Sequence, residues 1–247
     1  MRLKDKVAIV TGAAGGLGRM FALEIAREGA HVAVVDVHDT EPVQKEIEAE
    51  GGKALALFGN VTDPKSMDDM AAQTRQHLGK IDILINNAAI YAGLKRGSFM
   101  DIDLEEWDRV MAVNVKGAFL AVRAVYPYMK EQQYGKIINI ASEVFFSGSH
   151  GFAHYVTSKG GIIGLTRALA IETGPDNICV NAIAPGFTDT EASRGIADVH
   201  RYDTARTPLQ RLCQPEDLTG MTIFLASSES DFITGQSMIV NGGRVMH

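Results

Sequence analysis

The stretch VAIVTGAAGGLGRM, residues 7–20, decides the fold. Its four successive apolar residues indicate a buried strand, and glycines at positions 12, 16 and 18 separate that strand from a helical pattern. Glycines at such a turn let the backbone approach a pyrophosphate, while free amides at the helix N-terminus attract negative charge. A glycine-rich turn alone is weak evidence. Its place between the first strand and the first helix predicts the phosphate-binding turn of a dinucleotide fold.

Apolar runs like the first one return along the chain, separated by helical patterns. They are rich in Val and Ile and apolar at successive positions, which is typical of strands buried on both faces of a parallel sheet. The runs cover residues 7–10, 31–37, 54–58, 81–86, 136–142, 178–185 and 237–243, and the helical patterns cover about 17–28, 41–50, 64–78, 104–131, 155–173 and 215–226. This alternation predicts a single α/β domain over residues 1–247, a doubly wound Rossmann sheet of about seven parallel strands with helices on both faces.

Composition limits the classes of partner. A formal net charge of −6 argues against nucleic acid or an anionic membrane as the main partner. No apolar run approaches the length of a membrane span, and the first strand begins too early to leave room for a secretion signal. Cys179 and Cys213 form no disulfide framework, and no His or Cys spacing suggests a metal site. We therefore expect a cytoplasmic protein with a small-molecule substrate and no metal.

One segment interrupts the alternation of strands and helices. Residues 186–212 form a long polar connection. Connections of this length in a compact domain are usually lids or binding loops, so we expect a substrate lid here. The alternative is a surface excursion that carries a short helix.

Asp36 ends the second strand, eighteen residues after Gly18. A carboxylate at this place reaches the adenosine ribose, accepts hydrogen bonds from its hydroxyls and repels a 2′-phosphate. Neither Val37 nor Gly15 offers a cation for that phosphate. The sequence therefore favours NAD over NADP, although Asp36 could also be a plain strand terminus.

The segment HYVTSKGG, residues 154–161, places Tyr155 and Lys159 four residues apart. On a helix this spacing puts both side chains on one face. Tyr and Lys at this spacing are common on solvated helices, so the pair alone does not indicate chemistry.

Together these motifs make the chain resemble the short-chain dehydrogenase/reductase family over nearly its whole length. The resemblance rests on TGAAGGLG (11–18), Asp36, NNAA (86–89), Asn114, Ser142, YVTSK (155–159) and PGFT (185–188). Two positions depart from the family pattern. Ala89 stands where the family usually has glycine, and Asn60 stands where it usually has Asp near the adenine.

The resemblance implies the catalytic roles. Tyr155 would be the base that exchanges the hydroxyl proton, and a free phenol needs roughly 4 kcal/mol to ionise at pH 7. Lys159 and the positive nicotinamide would stabilise the phenolate, which accounts for the Tyr–Lys pair. Ser142 would align the substrate oxygen, and Asn114 would anchor a water that relays protons from Lys159. The alternatives are a turn residue for Ser142 and a helix kink for Asn114.

The resemblance also implies how NAD is held. Lys159 would bind the nicotinamide ribose. The residues expected to contact NAD are Gly12, Gly16, Leu17, Gly18, Asp36, Asn60, Val61, Asn87, Ala88, Ala89, Tyr155, Lys159, Pro185, Gly186, Phe187 and Thr188.

A stripe of small residues predicts a subunit contact. Gly160, Gly164 and Ala168 lie roughly opposite Tyr155 and Lys159 at about 100° per residue. The family's dimer interface uses this helix and the one before it, so we expect a homotetramer. The alternative is packing against the protein's own sheet.

The less regular segments are expected to select the substrate. Five aromatic residues could line the substrate pocket, and two or three of them are expected to pack in the core instead. They are Tyr91, Phe145, Phe146, Phe152 and Phe187. We expect Ser142, Phe145, Phe152 and Tyr155 to bind substrate, and at most one of the adjacent Phe145 and Phe146 to face the pocket if their segment is extended.

Charged residues are expected to play little part in the pocket. Glu143 and His150 are expected at the surface, and no Arg or Lys cluster stands out as an anion clamp. Arg194 and Arg201 in the lid could bind an anion, but lid charges are usually solvated.

The expected reaction is the NAD-dependent interconversion of a secondary alcohol and its ketone, with an apolar cyclic or aromatic alcohol as substrate. Within the family, HYVTSKGGIIGLTRALA (154–170) and FITGQSMIVNGG (232–243) look like NAD-dependent enzymes that act on 1-phenylethanol-type alcohols or on pyridoxal. They look almost as much like 3-oxoacyl-thioester reductases of the acyl-carrier-protein type. A non-catalytic NAD-binding regulator is the alternative from another class, and the complete set of catalytic residues argues against it.

Overall fold

Seven parallel strands form one sheet in a computed structural model that describes residues 1–196 and 202–246. The sheet order is β3-β2-β1-β4-β5-β6-β7. The strands are β1 (Val7–Thr11), β2 (His31–Asp36), β3 (Lys53–Phe58), β4 (Ile83–Asn86), β5 (Gly135–Ile140), β6 (Ile178–Pro185) and β7 (Ser237–Val240). This confirms the predicted doubly wound α/β domain.

Helices cover both faces of the sheet. They are α1 (Gly16–Arg27), α2 (Glu41–Ala49), α3 (Pro64–Leu78), α4 (Leu104–Met111), α5 (Ala118–Glu131), α6 (Val144–Ser147), α7 (Ala153–Thr173), α8 (Glu191–Arg194) and α9 (Thr219–Ala226). A π-helical segment, Ala112–Gly117, joins α4 to α5. Short 3-10 helices occupy Phe99–Asp101, Gly174–Asp176, Pro215–Leu218 and Ser228–Ser230.

The sheet separates two apolar cores, which explains the unbroken apolar runs. Along β1, Ala8 and Val10 face the core that includes Phe21 of α1 and Ile47 of α2. Val7 and Ile9 face the other core, beneath α3, α5 and α7. All of β1 is buried, because its side chains alternate between two covered faces.

The order of the strands reverses at β1, and this reversal positions the site. β1 pairs with β2 on one side and with β4 on the other. In such sheets a crevice opens at the carboxyl ends of the strands where the order reverses. The glycine turn after β1 and residues 87–89 after β4 border that crevice.

Two segments differ from the sequence-based expectation. The pattern at 104–131 is not one α-helix, because the wide π turn interrupts it. Residues 144–147 form a helical turn rather than an extended segment. The expected lid contains α8, and Arg201 lies outside the described residues.

The described part of the chain offers neither a membrane-spanning helix nor a metal cluster. None of the helices among residues 1–196 and 202–246 is both long and apolar enough to cross a membrane. The same ranges contain no group of three or more His, Cys, Asp or Glu side chains placed to hold a metal ion.

Candidate active site

A cavity of about 1200 Å³ runs along the carboxyl edge of the sheet and brings most of the predicted site residues together. Its wall includes Gly12, Gly16, Leu17, Asp36, Asn60, Val61, Asn87, Ala88, Ala89, Ser142, Phe152, Tyr155, Lys159, Pro185, Gly186, Phe187 and Thr188. Gly18, Asn114 and Phe145 are not part of this lining. The first two act from behind the wall.

The glycine turn is shaped by close backbone contacts. Gly12 has a φ of +67°, and a Cβ there would lie 2.7 Å from the Cα of Ala88. A Cβ on Gly18 would lie 2.0 Å from the carbonyl oxygen of Gly12. The Asn87 side chain donates to the carbonyl oxygens of Thr11 and Gly12, at 3.1 and 3.0 Å. The turn therefore tolerates no side chain at positions 12 and 18, and it fits the pyrophosphate of a dinucleotide.

Asp36 is fixed at the end of β2 beside this turn. One carboxylate oxygen accepts a hydrogen bond from the backbone N–H of Ala14 at 3.1 Å. The other accepts one from the backbone N–H of His38 at 3.0 Å, and the His38 ring lies at the same distance. Among the described residues that line the cavity between positions 12 and 61, none is Lys or Arg. The Asp36 carboxylate can therefore accept hydrogen bonds from ribose hydroxyls.

The adenine-side residue Asn60 stabilises its own turn. Its side-chain oxygen accepts hydrogen bonds from the backbone N–H and the hydroxyl of Thr62, at 3.0 and 2.8 Å. The amide nitrogen of the side chain forms no hydrogen bond with the described residues. Asn60 can therefore donate from the cavity wall, which an Asp could not do.

Tyr155 lies at the centre of the reactive part of the cavity. Only 8% of the residue is exposed, and its ring packs against Tyr91 and Phe152 with centroids 5.1 and 5.7 Å apart. Burial raises the pKa of the phenol strongly, Tyr91 adds to this effect, and a hydrogen bond with Ser142 lowers it. Tyr155 and Ser142 both line the cavity, where their hydroxyls can share a contact with one substrate oxygen.

Lys159 is buried one turn along α7 from Tyr155. Its Nζ donates to the carbonyl oxygen of Ile140 at 2.8 Å and lies 5.5 Å from the centre of the Tyr155 ring. No carboxylate among the described residues pairs with it, and burial lowers the pKa of this lysine to about 8. A buried ammonium without an acidic partner can bind a polar group of the cofactor when the cofactor enters the cavity.

Asn114 occupies the π-helical segment and is 2% exposed. Its side-chain oxygen accepts from the backbone N–H of Ile90 at 2.7 Å, and its nitrogen donates to the Ile90 carbonyl at 3.1 Å. The nitrogen also donates to the Ser158 hydroxyl at 3.1 Å. Asn114 therefore ties the loop after β4 to α7, next to Lys159.

Of the five predicted aromatic residues, Tyr91, Phe152 and Phe187 line the cavity. The prediction that Phe145 binds substrate is wrong: 42% of it is exposed, and its ring lies over Gly160 of α7, where a Cβ would meet it at 2.8 Å. Phe146 packs with a core cluster instead. Neither ring enters the cavity, because α6 is helical and turns this segment towards α7.

The cavity wall contains a group of arginines, although no Arg or Lys cluster stands out in the sequence. Arg96, Arg206 and Arg244 all line the cavity, together with Tyr202. Arg194, the cation considered from sequence, instead pairs with Asp189 at 2.8 Å and is 62% exposed. The three arginines lie far apart in the chain and carry no common motif, so no sequence signal could have grouped them.

Glu143 lies inside rather than at the surface. It is 4% exposed, lines the cavity and accepts a hydrogen bond from the Asn241 side chain at 2.9 Å. Burial raises the pKa of this carboxyl, while Asn241 and the charge of Arg244 lower it. His150 is exposed and does not line the cavity.

The arrangement supports proton exchange with a hydroxyl or carbonyl oxygen. An oxygen placed against the hydroxyls of Tyr155 and Ser142 meets one group that can take or give a proton and another that can orient it. The glycine turn, Asp36 and Lys159 line the same cavity and fit a dinucleotide. These features together permit hydride transfer between a cofactor and a carbon attached to that oxygen.

Comparison with known proteins places this geometry in context. Residues 12–244 match a family model described as Enoyl-(Acyl carrier protein) reductase. The 3-oxoacyl-(acyl-carrier-protein) reductase FabG of Thermotoga maritima is 39% identical over 249 residues, with both chains fully covered. Subunit BbsD of the (2S)-(R)-hydroxy(phenyl)methylsuccinyl-CoA dehydrogenase of Thauera aromatica is 37% identical, covering 99% of this chain and 98% of the relative. A crystal structure of a short-chain type dehydrogenase/reductase from Mycobacterium marinum matches with a TM-score of 0.93 at 37% identity, covering 99% of this chain and 97% of that one.

Proposed function

Because the chain belongs to the short-chain dehydrogenase/reductase family, we propose that this oxidoreductase interconverts a 3-oxoacyl thioester and a 3-hydroxyacyl thioester with NADH and NAD. One observation carries the thioester: the FabG and BbsD relatives, which match over the full chain, are both named for acyl thioesters, one on acyl carrier protein and one on coenzyme A. The three arginines in the cavity wall support such a ligand better than a purely apolar alcohol.

Four residues of the chain have defined roles in this reaction. When bound, the nicotinamide cofactor supplies or accepts the hydride. In the reductive direction, Tyr155 gives its hydroxyl proton to the carbonyl oxygen as the carbon gains hydride, and Ser142 donates a hydrogen bond to that oxygen. Lys159 stabilises the phenolate that remains, and Asn114 fixes the loop beside it.

We also propose NAD rather than NADP as the cofactor. The fixed carboxylate of Asp36 would repel a 2′-phosphate. Of the three residues that follow it on the cavity wall, Val37 and Asp39 provide no counter-charge, and the His38 ring lies against the Asp36 carboxylate itself at 3.0 Å. A preference of at least about tenfold, roughly 1.4 kcal/mol, is expected for NAD.

A neutral aromatic alcohol remains a second candidate substrate. The aromatic rings of Tyr91 and Phe152 beside Tyr155 favour it, since they offer an apolar surface next to the reacting position. This is the reaction expected from the sequence.

Steady-state kinetics distinguish these functions. Catalytic efficiency, expressed as kcat/KM, is compared for acetophenone, 2-heptanone and the coenzyme A thioester of 3-oxobutanoate, each with NADH and with NADPH. We expect the thioester with NADH to give the highest value. A preference for acetophenone would establish the second candidate, and binding of NADH without turnover of any alcohol or ketone in a wider panel would indicate the non-catalytic regulator.

We further propose that the protein is a cytoplasmic homotetramer. Both cysteines are free, which fits a reducing compartment. A Cβ on Gly164 of α7 would meet nothing within 4 Å, so this part of the small-residue stripe is open to a second subunit, whereas Gly160 is covered by Phe145. Sedimentation at micromolar concentration should show a tetramer that Gly164→Leu weakens, and a wild-type monomer would contradict the proposal.

A further inference from the structure

Two arginines of the cavity wall are held in the same way. The guanidinium of Arg96 stacks over Phe152, with Cζ 4.5 Å from the ring centre. Its Nη1 donates to the hydroxyl of Ser149 at 3.0 Å and to the carbonyl oxygen of His150 at 2.9 Å. The Arg96 side chain is thus oriented by the Phe152 ring against its face and by the loop residues Ser149 and His150 at its Nη1.

Arg244 repeats this arrangement on the other wall. Its Cζ lies 4.8 Å from the centre of the Tyr202 ring. Its Nη1 donates to the carbonyl oxygen of Asp203 at 2.7 Å and to the hydroxyl of Thr207 at 3.3 Å. This guanidinium is also fixed through one nitrogen and one aromatic face.

Both arginines keep the same donors free. Within the described ranges, Nε and Nη2 of Arg96 and Arg244 donate to no protein atom, and neither residue forms an ion pair with a carboxylate. These two nitrogens form one edge of the guanidinium, and that edge matches the two oxygens of a carboxylate or a phosphate. Fixing Nη1 elsewhere leaves this edge oriented in advance for a ligand.

The two guanidinium groups act on the same part of the cavity. Burial raises the pKa of Tyr202, and the charges of Arg244 and Arg96 both lower it. Arg244 stacks on Tyr202, and both arginines line the same cavity. The carboxyl of the nearby Glu143 is held by the Asn241 side chain and forms no ion pair with either arginine within the described ranges.

This region adjoins the reacting position. Phe152, which carries the Arg96 guanidinium, packs against Tyr155 with ring centres 5.7 Å apart. A group bound by Arg96 is therefore separated from the catalytic phenol by the width of one ring. A carboxylate on a short acyl chain spans such a gap, whereas the phosphates of a thioester carrier lie beyond a long pantetheine arm.

We propose that Arg96 and Arg244 form a subsite for an anionic group of the substrate, with a carboxylate on the acyl chain as the favoured source and a carrier phosphate as the other. The proposal rests on the thioester reaction proposed above. The substrate class that follows from this proposal is a thioester of a 3-oxo dicarboxylic acid, which the protein would bind at both ends of its acyl chain.

Three esters separate the sources of the charge. The N-acetylcysteamine thioester of 3-oxobutanoate carries no charge, its coenzyme A ester carries phosphates only, and the mono-N-acetylcysteamine thioester of 3-oxoadipate carries a chain carboxylate only. Each is reduced with NADH by wild type, Arg96→Gln, Arg96→Lys and Lys95→Gln. Lys95 is the matched control, because it is the exposed neighbour of Arg96 and does not line the cavity.

The ratio of kcat/KM between a charged ester and the neutral ester is the readout, since disturbance of the loop alone would lower both. We expect Arg96→Gln to reduce the 3-oxoadipate ratio at least about tenfold, Arg96→Lys to restore part of it, and Lys95→Gln to leave it unchanged. A fall confined to the coenzyme A ratio would assign the anion to the carrier. Unchanged ratios in Arg96→Gln would overturn the subsite.

A binding measurement keeps the subsite separate from the reaction. If wild type binds NADH but reduces none of the esters, the proposed thioester reaction is wrong. Calorimetric titration of the NADH-loaded protein with glutarate then tests whether the subsite binds a carboxylate. Binding that weakens in Arg96→Gln and persists in Lys95→Gln would support the subsite. Equal binding by all three proteins, or none by wild type, would refute it.

Discussion

Lys136 and Lys159 are both buried lysines associated with β5, and they are satisfied in different ways. Lys136, at the start of the strand, is 1% exposed and forms an ion pair with Asp231 at 2.8 Å. Its Nζ also lies 3.3 Å from the Ser230 hydroxyl. Lys159 is 4% exposed, and its ammonium donates to the carbonyl oxygen of Ile140 at the end of the same strand without any acidic partner among the described residues.

The difference distinguishes a structural cation, Lys136, from the cation to which we assign a function, Lys159. A buried charge is costly unless an opposite charge and hydrogen bonds compensate it. Lys136 has both, away from the cavity. Lys159 lacks the opposite charge and lies in the cavity wall beside Tyr155, so the fold tolerates an uncompensated ammonium where a phenolate and a ribose are expected to meet it.

The largest expected effect comes from removing the phenol that Lys159 serves. Tyr155→Phe deletes one hydroxyl and leaves the ring contacts with Tyr91 and Phe152, so turnover should fall by about 10³–10⁴-fold while NADH affinity stays within a factor of about three. Single-turnover reduction and fluorescence titration with NADH measure the two quantities. Turnover above a tenth of wild type would show that Tyr155 is not the proton donor.

A smaller loss is expected from Lys159 itself, with Lys136 as its control. Lys159→Met should lower kcat by about 10²-fold and weaken NADH binding, because the phenolate and the ribose both lose their cation. Lys136→Met should leave kcat nearly unchanged, since the partner that it abandons, Asp231, is 58% exposed and can be hydrated. Equal losses in the two variants would remove the distinction between the lysines.

The smallest effect is on stability, and its sign depends on pH. The pKa of Lys159 falls from 10.5 to about 8 in the folded cofactor-free protein, so the unfolded chain binds more protons between these values. Stability from this group should therefore rise with pH from about 8 to 10.5, by a quantity on the order of 3 kcal/mol.

Urea unfolding at fixed protein concentration tests this rise. Lys159→Met should be more stable than wild type at pH 7, and the gap should close towards pH 10.5. Lys136→Met provides the comparison, because its lysine has an acidic partner. A gap in Lys159→Met that does not change with pH would show that the ammonium is not penalised by burial.

The sequence predicted the strands from a local signal, whereas the candidate catalytic residues were chosen by their match to the motifs of the family. Burial on two faces makes the strands continuously apolar, and Tyr155 with Lys159 share one helix turn. Arg96, Arg244 and Glu143 left no such signal, since their place in the cavity depends on how separate loops pack. The sequence placed Phe145 in the substrate pocket for a related reason. The segment after β5 carries no clear helical signal, but in the structure it forms a helical turn, and the Phe145 ring lies over Gly160.

The position of Asn114 depends on the number of residues in the wide turn at Ala112–Gly117. A π turn holds one residue more than an α turn. Deleting one residue inside it would let α4 and α5 join as a regular helix with the angular register of α5 nearly kept, because the wide turn takes up the extra residue. The deletion would remove the Asn114 contacts with Ile90 and Ser158 while making the backbone more regular. The protein therefore keeps one residue more than a regular helix needs, in the turn from which the amide of Asn114 reaches Ile90 and Ser158.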